Sequence, residues 1–386
     1  MGQAVSITPY QKFKVIFEKW IRFTSISIGL NILDKDFTFK IQNLFIIAMV
    51  SSVDLLAIYT MFAFDTEMFW KAATCLSLGS QAAVKVYTVL YNRPQILFLA
   101  SFLESIYSKN DTKVPPKTRN IMEECSTYNL FTTATLYVMY LFCVFIFYLY
   151  PVIAYAVFEM KEPWLPLFVP GLDINTKEGF VATSIYHCVV LYLAGVGFGF
   201  CDSLFFNLVF NIYTMSELQG NQLAMLDEEM SAVKPSESMI RVRLTNFFLM
   251  HQEMEKYIEL INESYFLMIF VQIMTTSLCT TLIAYIIMTM SWYPAYFLAV
   301  CLIFQMFLFC ALGTVVEIAN DRLEYAVLQT KYYLLRVESQ HDFKFIINVA
   351  QKARFLKVGS TKLDVTLFVL VMRKIYAFIM FLNTRE

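Results

Sequence analysis

The stretch 266-FLMIFVQIMTTSLCTTLIAYIIM-288 carries no charged residue, and a second uncharged stretch, 296-YFLAVCLIFQMFLFCALG-313, follows it closely. A helix of about 20 apolar residues is long enough to cross the hydrocarbon core of a bilayer. The rest of the chain agrees, because 58% of its 386 residues are hydrophobic, 16% are charged and the mean hydropathy is +0.57. A soluble domain needs more charge on its surface. The sequence therefore predicts an all-α, polytopic membrane protein.

The hydropathy pattern predicts seven transmembrane helices in a single domain that covers residues 1–386. The predicted spans lie near 41–64, 68–92, 126–157, 180–213, 263–290, 293–317 and 361–383. Apolar residues at helical spacing predict further helical segments outside the membrane, near 240–262 and 318–357. The second span is the weakest of the seven, since it contains Lys71, Gln81 and Lys85. A lysine near the middle of a span is unfavourable unless it reaches an interface or a partner.

Lysine and arginine are distributed unevenly between the two sides of such a bundle. Segments on one side hold most of them: six in 1–40, five in 93–125, four in 216–262 and seven in 318–360. The other side holds only Lys161, Lys177 and Arg385. Because positive residues are enriched in cytoplasmic segments, this distribution predicts a cytoplasmic N-terminus and an extracellular C-terminus. A bundle without the second span would divide the lysines and arginines 18 against 9, so the distribution favours seven spans.

Residues that could perform catalysis or bind a metal ion do not form a recognisable motif. The three histidines, His187, His251 and His341, have no second ligand at a suitable spacing, and phosphate-binding and nucleophile motifs are missing. We therefore expect neither an enzyme nor a bound metal or cofactor, and no nucleic-acid partner. His251 lies within the apolar stripe of the segment near 240–262.

Asp54 is the acidic residue that is most costly to bury, because it lies in the middle of the first span. One interpretation is an ion or proton site. The alternative, which we favour, is a structural pair between two helices, with Lys85 of the second span as a possible partner at a similar depth.

The last span, 362-KLDVTLFVLVMRKIYAFIMFL-382, contains two adjacent positive residues in its middle, Arg373 and Lys374. Adjacent residues on a helix point about 100° apart, so both cannot face lipid at low cost. This pattern favours a helix beside an aqueous pore. The alternative is that the helix is tilted and both side chains reach the outer headgroups.

Aromatic, small and hydroxyl-bearing residues are dense in the outer halves of several spans. They predict an apolar ligand pocket with a few polar groups, suited to a small volatile molecule. The same residues could instead form an interfacial belt or ordinary core. The ten candidate ligand-binding residues are Phe69, Trp70, Ala73, Thr74, Ser77, Phe145, Tyr148, Tyr186, Val190 and Phe297.

Several short motifs lie along the chain. The loop after the third span has a Leu-Pro-aromatic-Pro pattern, and the segment near 240–262 contains His251-Gln252. The motif residues are Leu165, Pro166, Phe168, Pro170, Asp173, Leu308, Phe309, Cys310, Gly313, Ala326, Gln351, Lys352, Gly359, Leu363, Phe368, Tyr376 and Leu382. With this topology and these motifs, the chain resembles the insect odorant receptor family. It departs from the family's Ala-x-Tyr-x-x-x-Trp motif, which reads here Ala326, Leu328 and Tyr332, and Ile375 stands where the family has Ser or Thr before Tyr376.

The resemblance implies an odorant-binding subunit of a ligand-gated, non-selective cation channel. Such a subunit assembles with the odorant co-receptor, as a tetramer, in the plasma membrane of an olfactory neuron's dendrite. It also implies that the last span lines the pore, with Tyr376, Ile379 and Asn383 near the gate. The alternatives are a metabotropic seven-helix chemoreceptor, whose orientation and motifs would differ, and a gustatory-receptor-type channel.

Overall fold

A computed structural model describes residues 8–34, 36–110, 115–158, 163–233, 236–352 and 354–383, and most of this part of the chain is helical. Short π-helical and 3-10 segments occupy Val15–Ile21 and Tyr332–Leu334. The helices are α1 Pro9–Lys14, α2 Arg22–Ser27, α3 Ile41–Ala63, α4 Thr66–Tyr91, α5 Arg93–Lys109, α6 Pro116–Phe158, α7 Lys177–Met230, α8 Glu237–Thr289, α9 Pro294–Gln329, α10 Val337–Ala350 and α11 Val365–Asn383; the strands are β1 Lys357–Val358 and β2 Thr361–Lys362.

Polar side chains just before the first turn define where two of the long helices begin. The Asp65 carboxylate accepts a hydrogen bond from the Met68 amide at 3.1 Å at the start of α4. The Thr176 hydroxyl accepts one from the Gly179 amide at 3.1 Å at the start of α7. The first amides of a helix have no partner within the helix, so these caps stabilise both ends.

Five helices in the described part of the chain are long and apolar enough to cross a membrane: α3, α6, α7, α8 and α9. The other two predicted spans are also helices, α4 and α11, and they pack in the same bundle. α4 contacts α3, α7 and α8, and α11 contacts α8 and α9. The arrangement is consistent with seven crossing helices.

The low hydropathy of α4 has a structural reason, because this helix buries its polar residues in the bundle. Gln81 and Lys85 are both at most 2% exposed, and Gln81 donates a hydrogen bond to the Thr276 hydroxyl of α8 at 3.1 Å. A helix that directs polar groups to neighbouring helices needs less apolar character than a helix that faces lipid.

The two ends of the bundle differ in structure. At one end, which we call the upper end, the α3–α4 turn meets the loop 163–176, and the Phe64 and Phe168 rings stack at 4.3 Å. At the other end, which we call the base, residues 8–34, α5 and α10 pack around the long extensions of α6, α7, α8 and α9. The base therefore holds much of the buried apolar core, including Phe247 and Phe343.

The base contains elements that the sequence interpretation lacked. Residues 93–109 form α5, although the sequence suggested only a loop there. Strands β1 and β2 pair in antiparallel register, with Lys357 opposite Lys362, and Gly359 in their turn has φ +60°. Hydropathy cannot reveal such a short hairpin, because two-residue strands show no alternating pattern.

Candidate ligand-binding site

An internal cavity of about 190 Å³ lies between α3, α4, α6, α7 and α9. Its walls are mainly apolar, as expected for a site that takes a small, weakly polar ligand. Representative wall residues are Met49, Cys75, Leu78, Phe147, Val190 and Leu302.

At the upper end, Leu165 and Leu167 of the loop between α6 and α7 line the cavity, and we call this part of the loop the lid. His187 of α7 holds this loop: its Nδ1 accepts from the Leu165 amide at 3.4 Å, and its Nε2 donates to the Leu167 carbonyl at 3.0 Å. The Phe168 amide donates to the Thr60 hydroxyl of α3 at 3.0 Å. These bonds occupy both ring nitrogens of His187, so this histidine acts as a structural support for the lid.

The lower end of the cavity is polar, and we call it the polar floor: Lys85, Tyr140, Asp202 and Gln305. Lys85 Nζ lies 2.6 Å from Asp202 Oδ1, and both side chains are almost fully buried. The Tyr140 hydroxyl donates to Asp202 Oδ2. Gln305 Nε2 donates to the Tyr140 oxygen at 2.7 Å and to Asp202 Oδ2 at 3.1 Å. The floor thus joins α4, α6, α7 and α9 through one carboxylate.

This arrangement corrects the expectation that Asp54 pairs with Lys85. The partner of Lys85 is Asp202, a residue that the sequence interpretation had passed over in the fourth span. Asp54 instead lies beside Gly79, where a side chain would come within 2.1 Å of its Oδ1. Lys85 follows Gly79 by nearly two helical turns, about 9 Å along the axis, so it lies below the level of Asp54. An acid within a span needs a partner, and this rule could have drawn attention to Asp202.

The structure brings one of the ten candidate ligand-binding residues, Val190, to the cavity wall. Phe145 and Phe297 are largely exposed on the outside of the bundle. The remaining seven are buried or half-buried and do not line this cavity; they are Phe69, Trp70, Ala73, Thr74, Ser77, Tyr148 and Tyr186.

Hydrogen bonds and ring contacts account for several of these seven side chains. The Thr74 and Ser77 hydroxyls donate to carbonyls of their own helix at 2.7 and 3.1 Å. The Tyr186 and Ser52 hydroxyls lie 2.8 Å apart, and the Tyr148 hydroxyl donates to the Cys188 carbonyl at 2.6 Å. The Trp70 ring packs against Tyr285. Aromatic density along the chain therefore does not identify the cavity wall.

A family model described as 7tm Odorant receptor matches residues 66–376. The chain belongs to the odorant receptor family. A putative odorant receptor, 83c, from Drosophila melanogaster is 23% identical over 230 residues, and the match covers 56% of this chain and 58% of that relative. The proteins of this family are receptors.

Solved structures show the same fold. The insect olfactory receptor OR5 from Machilis hrabei superposes with a TM-score of 0.81 and 14% identity, covering 96% of this chain and 99% of that one. The structure of that receptor in complex with eugenol gives a TM-score of 0.79 and 15% identity, covering 96% and 100%. At these identities the likeness establishes the fold.

The last helix of the receptor, α11, packs on one side only. Ile375 is buried, whereas Arg373, Lys374 and Tyr376 are exposed and Ile379 is half-buried. The side chain of Asn383, the third predicted gate residue, lies outside the described residues. Among the described residues, α11 therefore keeps an exposed face that includes Arg373, Lys374 and Tyr376.

At the base of the receptor, His251 belongs to a buried polar network. Its Nδ1 donates to Gln219 Oε1 at 3.1 Å, and its Nε2 accepts from Arg354 Nη2 at 2.8 Å. Arg354 also pairs with Glu255 at 2.7 Å. Burial, followed by the positive charge of Arg354, lowers the pKa of His251 to about 4. The neutral ring fits this network, because it offers one donor and one acceptor.

We expect acid to destabilise this network. An unfolded chain would protonate His251 near pH 6.5, whereas the folded chain protonates it near pH 4, so stability is retained above 6.5 and decreases as the pH falls through this window. At about pH 5 the free energy of unfolding should be about 2 kcal/mol lower than at neutral pH. Melting of the purified receptor at several pH values measures it. His251→Gln, which keeps a donor and an acceptor, should remove this part of the pH dependence, and equal pH dependence of both proteins would contradict the assignment.

Proposed function

We propose that the receptor is the odorant-binding subunit of a ligand-gated, non-selective cation channel in the plasma membrane of an olfactory sensory neuron, on its dendrite. It would assemble with the odorant co-receptor as a hetero-oligomer, with four subunits around one pore. The apolar cavity between the helices is the observation that carries the binding role. It accepts a small volatile ligand that partitions from water or from the lipid bilayer.

The proposed orientation places the base inside the cell and the upper end outside. The base holds residues 8–34, α5 and α10, and the sequence segments at this end carry most of the lysines and arginines. Positive residues near the ends of spans favour the cytoplasmic side. The cavity lid, formed by Leu165 and Leu167, would then lie on the outer side, where an odorant arrives.

A physical route between the cavity and α11 runs through α9. The upper part of α9 contributes Leu298, Leu302 and Gln305 to the cavity. Farther down, the Phe307 ring packs against Phe368 of α11 at 5.5 Å between centroids. A ligand that fits better when α9 is displaced would favour the displaced state and move α11 with it. The proposed gating therefore needs only a change in how α9 packs.

Two alanines of α4 provide a matched test of where the ligand binds. Ala82 lines the cavity, whereas Ala73 does not. They are nine residues apart, which places them about 180° apart around the helix. We expect Ala82→Leu to lower the potency of larger odorants selectively, because the added carbons fill cavity space. Ala73→Leu should leave the order of potency unchanged.

The measurement is the odorant-evoked current in cells that express each variant with the co-receptor, across a homologous series of ligands. Cells without the co-receptor test the proposed assembly, and surface labelling shows whether each variant reaches the membrane. The opposite result is a size effect for Ala73→Leu alone. It would place the binding site on the side of α4 that carries Trp70, Ala73 and Ser77. Absence of current for every volatile tested would contradict the proposed function.

A further inference from the structure

The polar floor has hydrogen-bonding capacity that the protein leaves unused. Its single carboxylate, Asp202, forms an ion pair with Lys85 and accepts hydrogen bonds from the Tyr140 hydroxyl and the Gln305 amide. Asp202 is 0% exposed and Lys85 is 2% exposed, so the charges lie within the bundle. Asp202 Oδ1 faces the Lys85 ammonium and Oδ2 accepts from Tyr140 and Gln305, so both carboxylate oxygens have partners within the protein.

The ammonium group of Lys85, in contrast, has N–H groups without a hydrogen-bond acceptor in the described part of the chain. It has three N–H groups, and among the described residues its only charged partner is Asp202. The other neighbours of Nζ are aromatic faces, with the centroids of Phe198 at 4.3 Å and Phe309 at 5.8 Å. Lys85 lines the cavity together with Tyr140 and Gln305. The Tyr140 hydroxyl and the Gln305 amide already donate within the floor, so Lys85 is the floor residue that keeps unused N–H groups.

We propose that the polar floor binds the carbonyl oxygen of an elongated, otherwise apolar ligand, such as a ketone or an ester, through Lys85. This inference rests on the proposed odorant-binding function and narrows the class of ligand. The α4 wall extends about 15 Å upward from Lys85 to Cys75, so an apolar tail would extend from the floor toward Leu165 and Leu167. A carbonyl accepts hydrogen bonds and donates none, and this matches the free capacity of the floor.

The test compares two ligands of nearly the same shape: a methyl ketone and the 2-methyl-1-alkene in which a CH₂ group replaces the carbonyl oxygen. An entirely apolar cavity would favour the alkene, because burying a carbonyl without a partner is unfavourable. A floor that donates to the carbonyl should instead favour the ketone by about tenfold or more in half-maximal concentration. The currents are recorded from the full-length receptor with its co-receptor.

The variant to compare is the double substitution Lys85→Met with Asp202→Asn, which removes both charges together. Removing one charge alone would leave an unpaired buried ion and could prevent folding. We expect the double variant to lose the ketone preference while its response to the alkene stays within about twofold. The control is Lys71→Met, since Lys71 is on the same helix, pairs with Glu67 at 2.5 Å and does not line the cavity.

Each outcome bears on the inference. A native receptor that prefers the alkene would overturn it without any variant, even if the double variant fails to reach the surface. Equal losses for ketone and alkene in the double variant would also overturn it, because they would indicate a purely structural ion pair. If neither ligand evokes a current but other volatiles do, the carbonyl inference fails and the proposed function stands. If no volatile evokes a current, both fail.

Discussion

Replacing Gly313 with alanine is expected to separate α11 from α9 and to remove most of the receptor from the cell surface. A Cβ atom at this position would lie 2.0 Å from the Leu363 carbonyl oxygen and 2.8 Å from its carbonyl carbon. Both are backbone atoms, so no side-chain rotation can relieve the contact. Overpacking typically costs about 1–3 kcal/mol, and a backbone obstacle places this change at or above the upper limit.

The location of this contact explains why the effect should be large. Directly after Leu363, Asp364 caps α11 by accepting from the Leu367 amide at 2.7 Å. The Val365 amide donates to the Thr314 hydroxyl of α9 at 3.0 Å. A shift of Leu363 would therefore break the junction that fixes the start of α11. Without this junction the proposed pore helix loses its defined position.

Surface labelling and thermal melting of the purified receptor measure this prediction. Gly220→Ala is the matched control, because its new methyl group would meet only the Ala326 Cβ, at an ordinary distance of 3.9 Å. We expect the control to fold and melt like the native receptor. A Gly313→Ala variant with native surface amount and melting temperature would show that the Leu363 backbone can move away at little cost.

Replacing Ile379 with alanine is expected to raise the current that flows without ligand. This prediction rests on the proposal that α11 lines the pore, with Ile379 at its narrowest part. A narrow ring of apolar side chains blocks ions because water withdraws from it, and smaller side chains would let water and ions pass. In a tetramer shared with the co-receptor only some subunits carry the change, so the increase would be partial.

Ile375→Ala is the control for this experiment, since it makes the same substitution one turn earlier. Ile375 is 6% exposed and packs within the subunit, so its loss should lower stability and leave the ligand-free current unchanged. The order in which odorants are preferred should not change in Ile379→Ala, because the cavity is lined by other helices. Unchanged leak and ion selectivity in a variant that reaches the surface would show that Ile379 does not form the gate.

The sequence alone was sufficient for the class of fold and for the family. Uncharged stretches such as 266–288 can be stable only in lipid or in a packed bundle, so hydropathy predicts spanning helices. The motifs of the last third, from Leu308 to Tyr376, supported the same family that the match over residues 66–376 then established. These signals are local, because each depends only on which residues follow one another along the chain.

The tertiary structure decided how the helices are rotated and which polar groups meet. From the sequence we placed Ala73 in the pocket and considered Asp54 as the ion-pair partner of Lys85. In the structure Ala82 lines the cavity, and Lys85 pairs with Asp202, which is far away along the chain. Hydropathy is a sum over a segment, and that sum does not change when a helix turns about its axis. The rotation is determined by packing against neighbouring helices and by the need of each buried charge for a partner, and both depend on residues distant in sequence.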